Sequence, residues 1–119
     1  MDTKSVMAVL RRVMDPEQPV SVVDMGVVKT SDIKVTKDEV QVEFTPTSPY
    51  CPMGAVIGIL IRKALEDALP GKHVVVKVKP GTHLREDACN AMIMDDAQYK
   101  SAVDRLAAQG ALDRLIGKR

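Results

Sequence analysis

Residues 39–69 read EVQVEFTPTSPYCPMGAVIGILIRKALEDAL, and this stretch decides the fold. Val40, Val42 and Phe44 alternate with Glu39, Gln41 and Glu43. That period of two is the signature of a strand with one buried and one polar face. Pro46, Pro49 and Pro52 then put three prolines into seven residues, which no central strand tolerates. From Met53 the pattern changes. Val56, Ile57, Leu60, Ile61, Ala64, Leu65, Ala68 and Leu69 recur at spacings of three and four, with Arg62, Lys63, Glu66 and Asp67 on the opposite side. This predicts a long amphipathic helix that ends at Pro70-Gly71.

Upstream, Val27 to Val35 is rich in β-branched residues and Lys37-Asp38 is a polar break, so a second strand pairs with the first as a hairpin. Before it, Val6, Met7, Val9, Leu10 and Val13 mark a helical stripe over residues 4–13. Asp15-Pro16 stops that helix, because a residue before proline is driven out of the α region. Residues 20–26 read as a packed loop. Downstream, Val74, Val76 and Val78 alternate with lysines and predict a third strand, and residues 80–90 are polar enough to read as a long loop. Asp95-Asp96 offers N-cap chemistry to a helix through Tyr99, Val103 and Leu106 that Gly110 closes, and Leu112, Leu115 and Ile116 suggest a last short turn. The order defines an α+β fold, a single-domain α-β-β-α-β sandwich with helices on one face and a C-terminal helix. Its expected core is residues 4–79 and its helical tail residues 92–117.

At 119 residues, with 45% hydrophobic and 28% charged side chains, the chain has the composition of one globular domain. Lys and Arg number 17 against 16 Asp and Glu, a net charge of +1, which gives little pull on a polyanion. Two Tyr, one Phe and no Trp leave few platforms for stacking bases. Nucleic acid is therefore not an expected partner. Nor is a membrane, since no apolar run approaches the ~20 residues of a span. Met1-Asp2-Thr3-Lys4 runs directly into the amphipathic pattern without an apolar leader, and the two cysteines form no CxxC pair. A cytoplasmic protein with reduced thiols is the expectation.

Cys51 carries the most chemistry. Standing just before Pro52, it is expected at the N-cap of the long helix, beside unpaired N–H groups and the positive end of the dipole. That setting lowers a thiol pKa and makes a better nucleophile and metal ligand. The plainer alternative is a cysteine that fills space at the strand–helix junction. Thr47 and Ser48 are candidate partners of the sulfur, or simply turn caps. Asp15 and Glu17 sit on a proline corner and can serve as base, hard ligand or cap.

Taken in order, Asp15-Pro16-Glu17, then Val20-Ser21-Val22-Val23-Asp24-Met25-Gly26-Val27-Val28, a hairpin, and Thr45-Pro46-Thr47-Ser48-Pro49-Tyr50-Cys51-Pro52 before an apolar helix, the chain resembles the MIP18-like domain family from Val6 to about Val78. Members of that family are tied to iron–sulfur cluster assembly, and a divergent branch serves an oxygenase system. The resemblance implies an α-β-β-α-β core and one pocket that gathers Asp15, Glu17, Thr47, Ser48 and Cys51, with Ser48 standing where the family often has a second threonine. It also implies an assembly factor in contact with the cluster assembly machinery and apo client proteins. The chain lacks the tryptophan that members often carry after the third strand, and lacks the cysteine-rich tail of the oxygenase-associated branch.

The resemblance suggests a transient iron–sulfur cluster, or iron itself, as what Cys51 would hold. Stable clusters usually take four cysteines and this chain has two, so a cluster held transiently, or one bridged across a homodimer by two Cys51 thiolates, is the chemistry to expect. Cys89 and His83 are weaker candidate ligands, since an incidental loop thiol is the readier account of Cys89 and the case for His83 is weaker still. Two other readings compete with the assembly factor. Ser48-Pro49-Tyr50-Cys51-Pro52 is similar to a peroxiredoxin nucleophile, which would make the protein a thiol-dependent redox enzyme, although a thioredoxin-like fold wants a βαβ unit first. The other is a non-catalytic interaction adaptor with a structural Cys51.

Overall fold

The computed structural model describes residues 3–14, 20–45, 54–69, 71–81, 86–110 and 116. The N-terminal helix α1 spans Thr3–Leu10, the strands β1 and β2 span Ile33–Val35 and Glu39–Phe44, and the long helix α2 spans Gly54–Ala68. Strand β3 (His73–Val78) and the helices α3 (Glu86–Met94) and α4 (Asp96–Ala108) complete the chain. The sheet order is β1-β2-β3, with β1 antiparallel and β3 parallel to β2. In β2, Val40, Val42 and Phe44 are buried, and in the register of β3 they stand beside Val74, Val76 and Val78, also buried. Helices cover this face, and the other carries Lys34, Glu39, Gln41, Glu43 and Lys77 around a shallow hollow of about 240 Å³. The small α+β sandwich is as the sequence predicts.

Helix α2 is central. Ile57, Ile59, Leu60 and Ile61 are all at most 1% exposed. At 100° per residue those four positions span about 200° of the helix, so its first half is covered over more than one face, while Arg62, Lys63, Glu66 and Asp67 in the second half stay partly or wholly exposed. It touches β3, α1, α3 and α4. Gly58 is the point of closest approach: a Cβ there would lie 2.8 Å from Ile93 Cγ1 and 2.9 Å from Phe44 Cε1, both inside contact distance. Only hydrogen fits between the sheet and α3.

Three expectations are corrected. The strand predicted from Val27 begins at Ile33, because a three-residue 3₁₀ turn, Thr30–Asp32, interrupts it. Asp32 holds that turn, accepting the Lys29 amide (3.1 Å) and pairing with Lys79 Nζ (3.0 Å). Beyond the turn the chain rejoins the hairpin, since the Thr45 amide donates to the Val27 carbonyl at 2.8 Å. An unbroken register would put Thr30 there, so the turn is a three-residue insertion into the ladder.

Second, α1 ends at Leu10 rather than Val13, and Val13 and Met14 are extended and make isolated bridges to Ile116 and Ser21. Third, residues 80–90 are not all loop, because α3 begins at Glu86. Glu86 and Asp87 in its first turn suit the positive helix end, and Cys89 and Ile93, four apart, are its buried stripe. The structure supports the predicted cap at Asp95, which accepts from the Ala97 and Gln98 amides, and the stop at Gly110, whose φ is 72°. What precedes α2 among the described residues is α1 and an antiparallel hairpin, so the βαβ unit of a thioredoxin-like peroxidase is not found there.

Candidate functional site

Asp15, Glu17, Thr47, Ser48, Cys51 and His83 lie outside the described residues, and so does the expected N-cap position of Cys51. The residues on which those segments stand are described. The segment 15–19 leaves from Met14 and returns at Val20, with Met14 and Ser21 bridged. The segment 46–53 leaves from Thr45 and enters α2 at Gly54. Three backbone hydrogen bonds tie the two stems together. The Val22 amide donates to Val13 (2.9 Å), the Val27 amide to Val22 (3.0 Å) and the Thr45 amide to Val27 (2.8 Å). Val13, Val22 and Val27 are at most 2% exposed, so this relay runs through the core and anchors both stems on one rigid frame.

The third stem is close as well. Because β2 and β3 are parallel, Thr45 and Lys79 leave the sheet at the same end, and the Lys79 amide donates to the Phe44 carbonyl at 2.8 Å. The segment 82–85, which contains His83, follows Gly81 from that end. The described stems of segments 15–19 and 46–53 are thus joined by backbone hydrogen bonds, and Thr45 and Lys79, which lead toward segments 46–53 and 82–85, leave the sheet side by side.

Cys89 is placed differently. It is 8% exposed on α3, in the core cluster with Ile93, Phe44 and Leu60. The helix that carries it is pinned at both ends. Asn90 Oδ1 accepts the Val78 amide (2.7 Å), Glu86 Oε1 accepts the Gly81 amide (2.9 Å) and Arg62 holds the Ile93 carbonyl (2.8 Å). A cysteine in that environment packs as a small hydrophobe. Among the described residues no three His, Cys, Asp or Glu side chains are grouped to hold a metal, and no helix is long and apolar enough to cross a membrane.

The strongest polar cluster among the described side chains is one that sequence reading treated only as the outer side of α2. Arg62, its side chain 11% exposed, donates to Glu66 (3.1 Å), to the Ile93 carbonyl and to Asp96 (2.8 Å), while its guanidinium lies 3.8 Å from the Tyr99 ring centroid. Tyr99 in turn donates its hydroxyl to Glu66 at 2.7 Å. Burial pulls the Arg62 pKa down, but the bonds to Asp96 and Glu66 outweigh it and the net shift is upward. Burial first, then the bond to Glu66, pushes the Tyr99 phenol well above its ordinary range. The Arg62–Glu66 spacing of four was the visible part of this cluster. Tyr99 and Asp96 come from 33 and 34 residues away, which no local pattern foretells.

A family model described as an iron–sulfur cluster assembly protein matches residues 3–79. The chain belongs to that family, and within it to the MIP18-like proteins. Among similar chains, a MIP18 family protein of Schizosaccharomyces pombe is 36% identical over 110 residues, covering 87% of this chain and 62% of that one. Galla-2, a MIP18 family protein of Drosophila melanogaster, is 33% identical over 87% of this chain and 68% of its own length. Cytosolic iron–sulfur assembly component 2B of Mus musculus is 34% identical over the whole of this chain and 75% of its own. The chain thus spans between three fifths and three quarters of these relatives. The crystal structure of a domain of unknown function, DUF59, from Bacillus anthracis superposes with a TM-score of 0.60 at 25% identity, over 86% of this chain and 91% of that one.

Proposed function

We propose that this protein is an iron–sulfur cluster assembly factor that takes up a cluster, or iron, as transient cargo through Cys51 and passes it to apo client proteins in the cytoplasm. One observation carries the reading: the family match over residues 3–79 takes in Asp15, Glu17, Thr47, Ser48 and Cys51 together. The hydrogen-bonded relay from Val13 to Thr45 supports it, because it joins the described stems of the segments that carry the acids and the cysteine. In the chemistry proposed, the Cys51 thiolate is the soft donor toward iron, Asp15 and Glu17 are hard donors or proton acceptors, and the Thr47 and Ser48 hydroxyls donate to sulfur. A donor set with so few thiolates favours release over storage, which suits a carrier. His83 and Cys89 fall outside the matched residues, and the burial of Cys89 in α3 weighs against its meeting cargo.

The mouse and Dictyostelium discoideum relatives are named as cytosolic iron–sulfur assembly components, which supports the cytoplasm as the compartment and the assembly machinery as partner. A homodimer would supply a second Cys51 to a bridged cluster. The test is anaerobic reconstitution with iron and sulfide, followed by visible absorption and size-exclusion chromatography. The full chain is expected to gain cluster bands that Cys51→Ser loses. Equal bands in both would overturn ligation by Cys51, and no bands in either would leave the protein as an adaptor that works by contact alone.

A further inference from the structure

We propose that α1 of one copy docks on α3 of a second copy, so that the chain associates head to tail through two exposed helix faces of opposite charge. The polar face of α1 carries Lys4, Ala8 and Arg11, all exposed, with Arg12 half-buried beside them. The helical turn runs on past Leu10, since the Arg11 amide donates to the Met7 carbonyl at 3.0 Å. Lys4, Ala8 and Arg11 therefore fall within about 60° of one another around the axis. The outer face of α3 repeats this plan with the sign reversed. Asp87, Ala91 and Asp95 are exposed and fall within about 80°, the Asp95 amide still donating to the Ala91 carbonyl at 2.9 Å. Helix α1 carries no acid and α3 no cation. Among the described residues Lys4, Arg11, Arg12 and Asp87 form no ion pair, and Asp95 caps α4 through Oδ1 alone.

Charge and spacing both match. Along their axes Lys4 and Arg11 stand about 10 Å apart, and Asp87 and Asp95 about 12 Å. Laid antiparallel, the two helices put Arg11 against Asp87 and Lys4 against Asp95. Ala8 and Ala91 then meet at the centre, where short side chains let the axes come within the ~8–10 Å of packed helices. The apolar stripe of α1 is already spent, because Val6 and Leu10 are fully buried, so the helix has nothing to insert into a lipid surface. A second copy is the partner because the complement of α1 lies on this same chain. Helix α1 touches β1 and α3 touches β3, at opposite edges of the sheet, so each copy meets one neighbour through α1 and another through α3. One helix pair with two exposed ion pairs falls well short of the roughly 1,200 Å² of a stable complex, so the contact is transient, with a dissociation constant on the order of 1 mM. It is separate from any dimer that shares Cys51 and does not depend on the iron-handling reading.

The test follows the backbone amide shifts of the full chain by NMR as it is concentrated from about 0.05 to about 1 mM in low salt. Ser5, Ala8, Ala88 and Ala91 are expected to shift with concentration, and about 0.5 M salt should remove most of the effect. Arg11→Glu and Asp87→Lys, both at exposed positions, should each reduce the shifts by at least about fivefold, since like charges then face each other. Each variant keeps one face intact, so an equal mixture of the two should regain about half of the shifts that neither shows alone. Shifts absent from the unaltered chain, shifts confined to other faces, or a mixture as silent as its components would overturn the proposal.

Discussion

Replacing Arg62 with methionine keeps an apolar stem of similar length and deletes the guanidinium that joins α2 to α3 and α4. The loss can be worked out contact by contact. A charged donor on the buried Ile93 carbonyl is worth about 1.5–3 kcal/mol, and the carbonyl is left unpaired when it goes. The stack on Tyr99, which is 8% exposed, adds about 0.5–2 kcal/mol. The Glu66 pair, one turn away on the same helix, adds about 0.3–0.5 kcal/mol. The Asp96 carboxylate is 88% exposed, so that short bond contributes little after solvent screening. With part of the apolar packing recovered by methionine, Arg62→Met should destabilise by about 2–4 kcal/mol, and Asp96→Asn by less than about 0.5 kcal/mol. Urea unfolding followed by circular dichroism measures both, with the slope against denaturant expected to stay constant. Equal losses in the two variants would refute the reasoning, because the exposed pair would then carry what is assigned here to the buried carbonyl and the ring.

Three further outcomes follow from the packing. Gly58→Ala gains about 1 kcal/mol of helix propensity but forces a methyl against Ile93 and Phe44 at a cost of about 1–3 kcal/mol, so the midpoint of urea unfolding should fall; a higher midpoint would mean that α3 shifts freely. Asp95→Ala removes a cap that accepts two amides at 3.0 and 3.1 Å, and should cost about 1 kcal/mol in the same assay, with Asp95→Asn restoring most of it. Tyr99 has a phenol pKa raised by folding, so above about pH 10 the unfolded chain releases a proton that the folded chain keeps, and stability falls by about 1.4 kcal/mol per pH unit. Below that pH the group contributes no slope. Tyr99→Phe should therefore lose this component of the alkaline decline, and parallel declines in the two proteins would contradict it.

Much of the architecture was legible because periodicity reports burial. The alternation of Val40, Val42 and Phe44, and of Val74, Val76 and Val78, located β2 and β3 to within a residue. The recurrence of Val56, Ile57, Leu60, Ile61, Ala64 and Leu65 at three and four announced α2 as an amphipathic helix, whereas the burial of Ile59, outside that stripe, depends on tertiary neighbours. The start of β1 was not legible, since Val27 and Val28 are buried yet sit before an inserted turn, and β-branched content alone cannot separate a strand from a packed loop. Helix α3 was hidden because its short apolar stripe, Cys89 and Ile93, is framed by Glu86, Asp87 and Asn90. The candidate residues Asp15, Glu17, Thr47, Ser48 and Cys51 lie outside the described residues, and what the structure adds is that the stems of their two segments share one hydrogen-bonded frame. The Arg62 clamp depends on tertiary neighbours more than 30 residues away, and only its Glu66 member showed in the local spacing.

The snug fit at Gly58 has a consequence for where this molecule can be cut or spliced. Residue 79 closes the stretch that matches the family, yet the groove over Gly58 is filled by Ile93 from beyond it. A fragment ending at that boundary would present an oily trench to water and offer it to any sticky neighbour. A chimera carrying a foreign ending would need a side chain shaped like isoleucine at one specific spot, or a bulkier residue in place of the glycine.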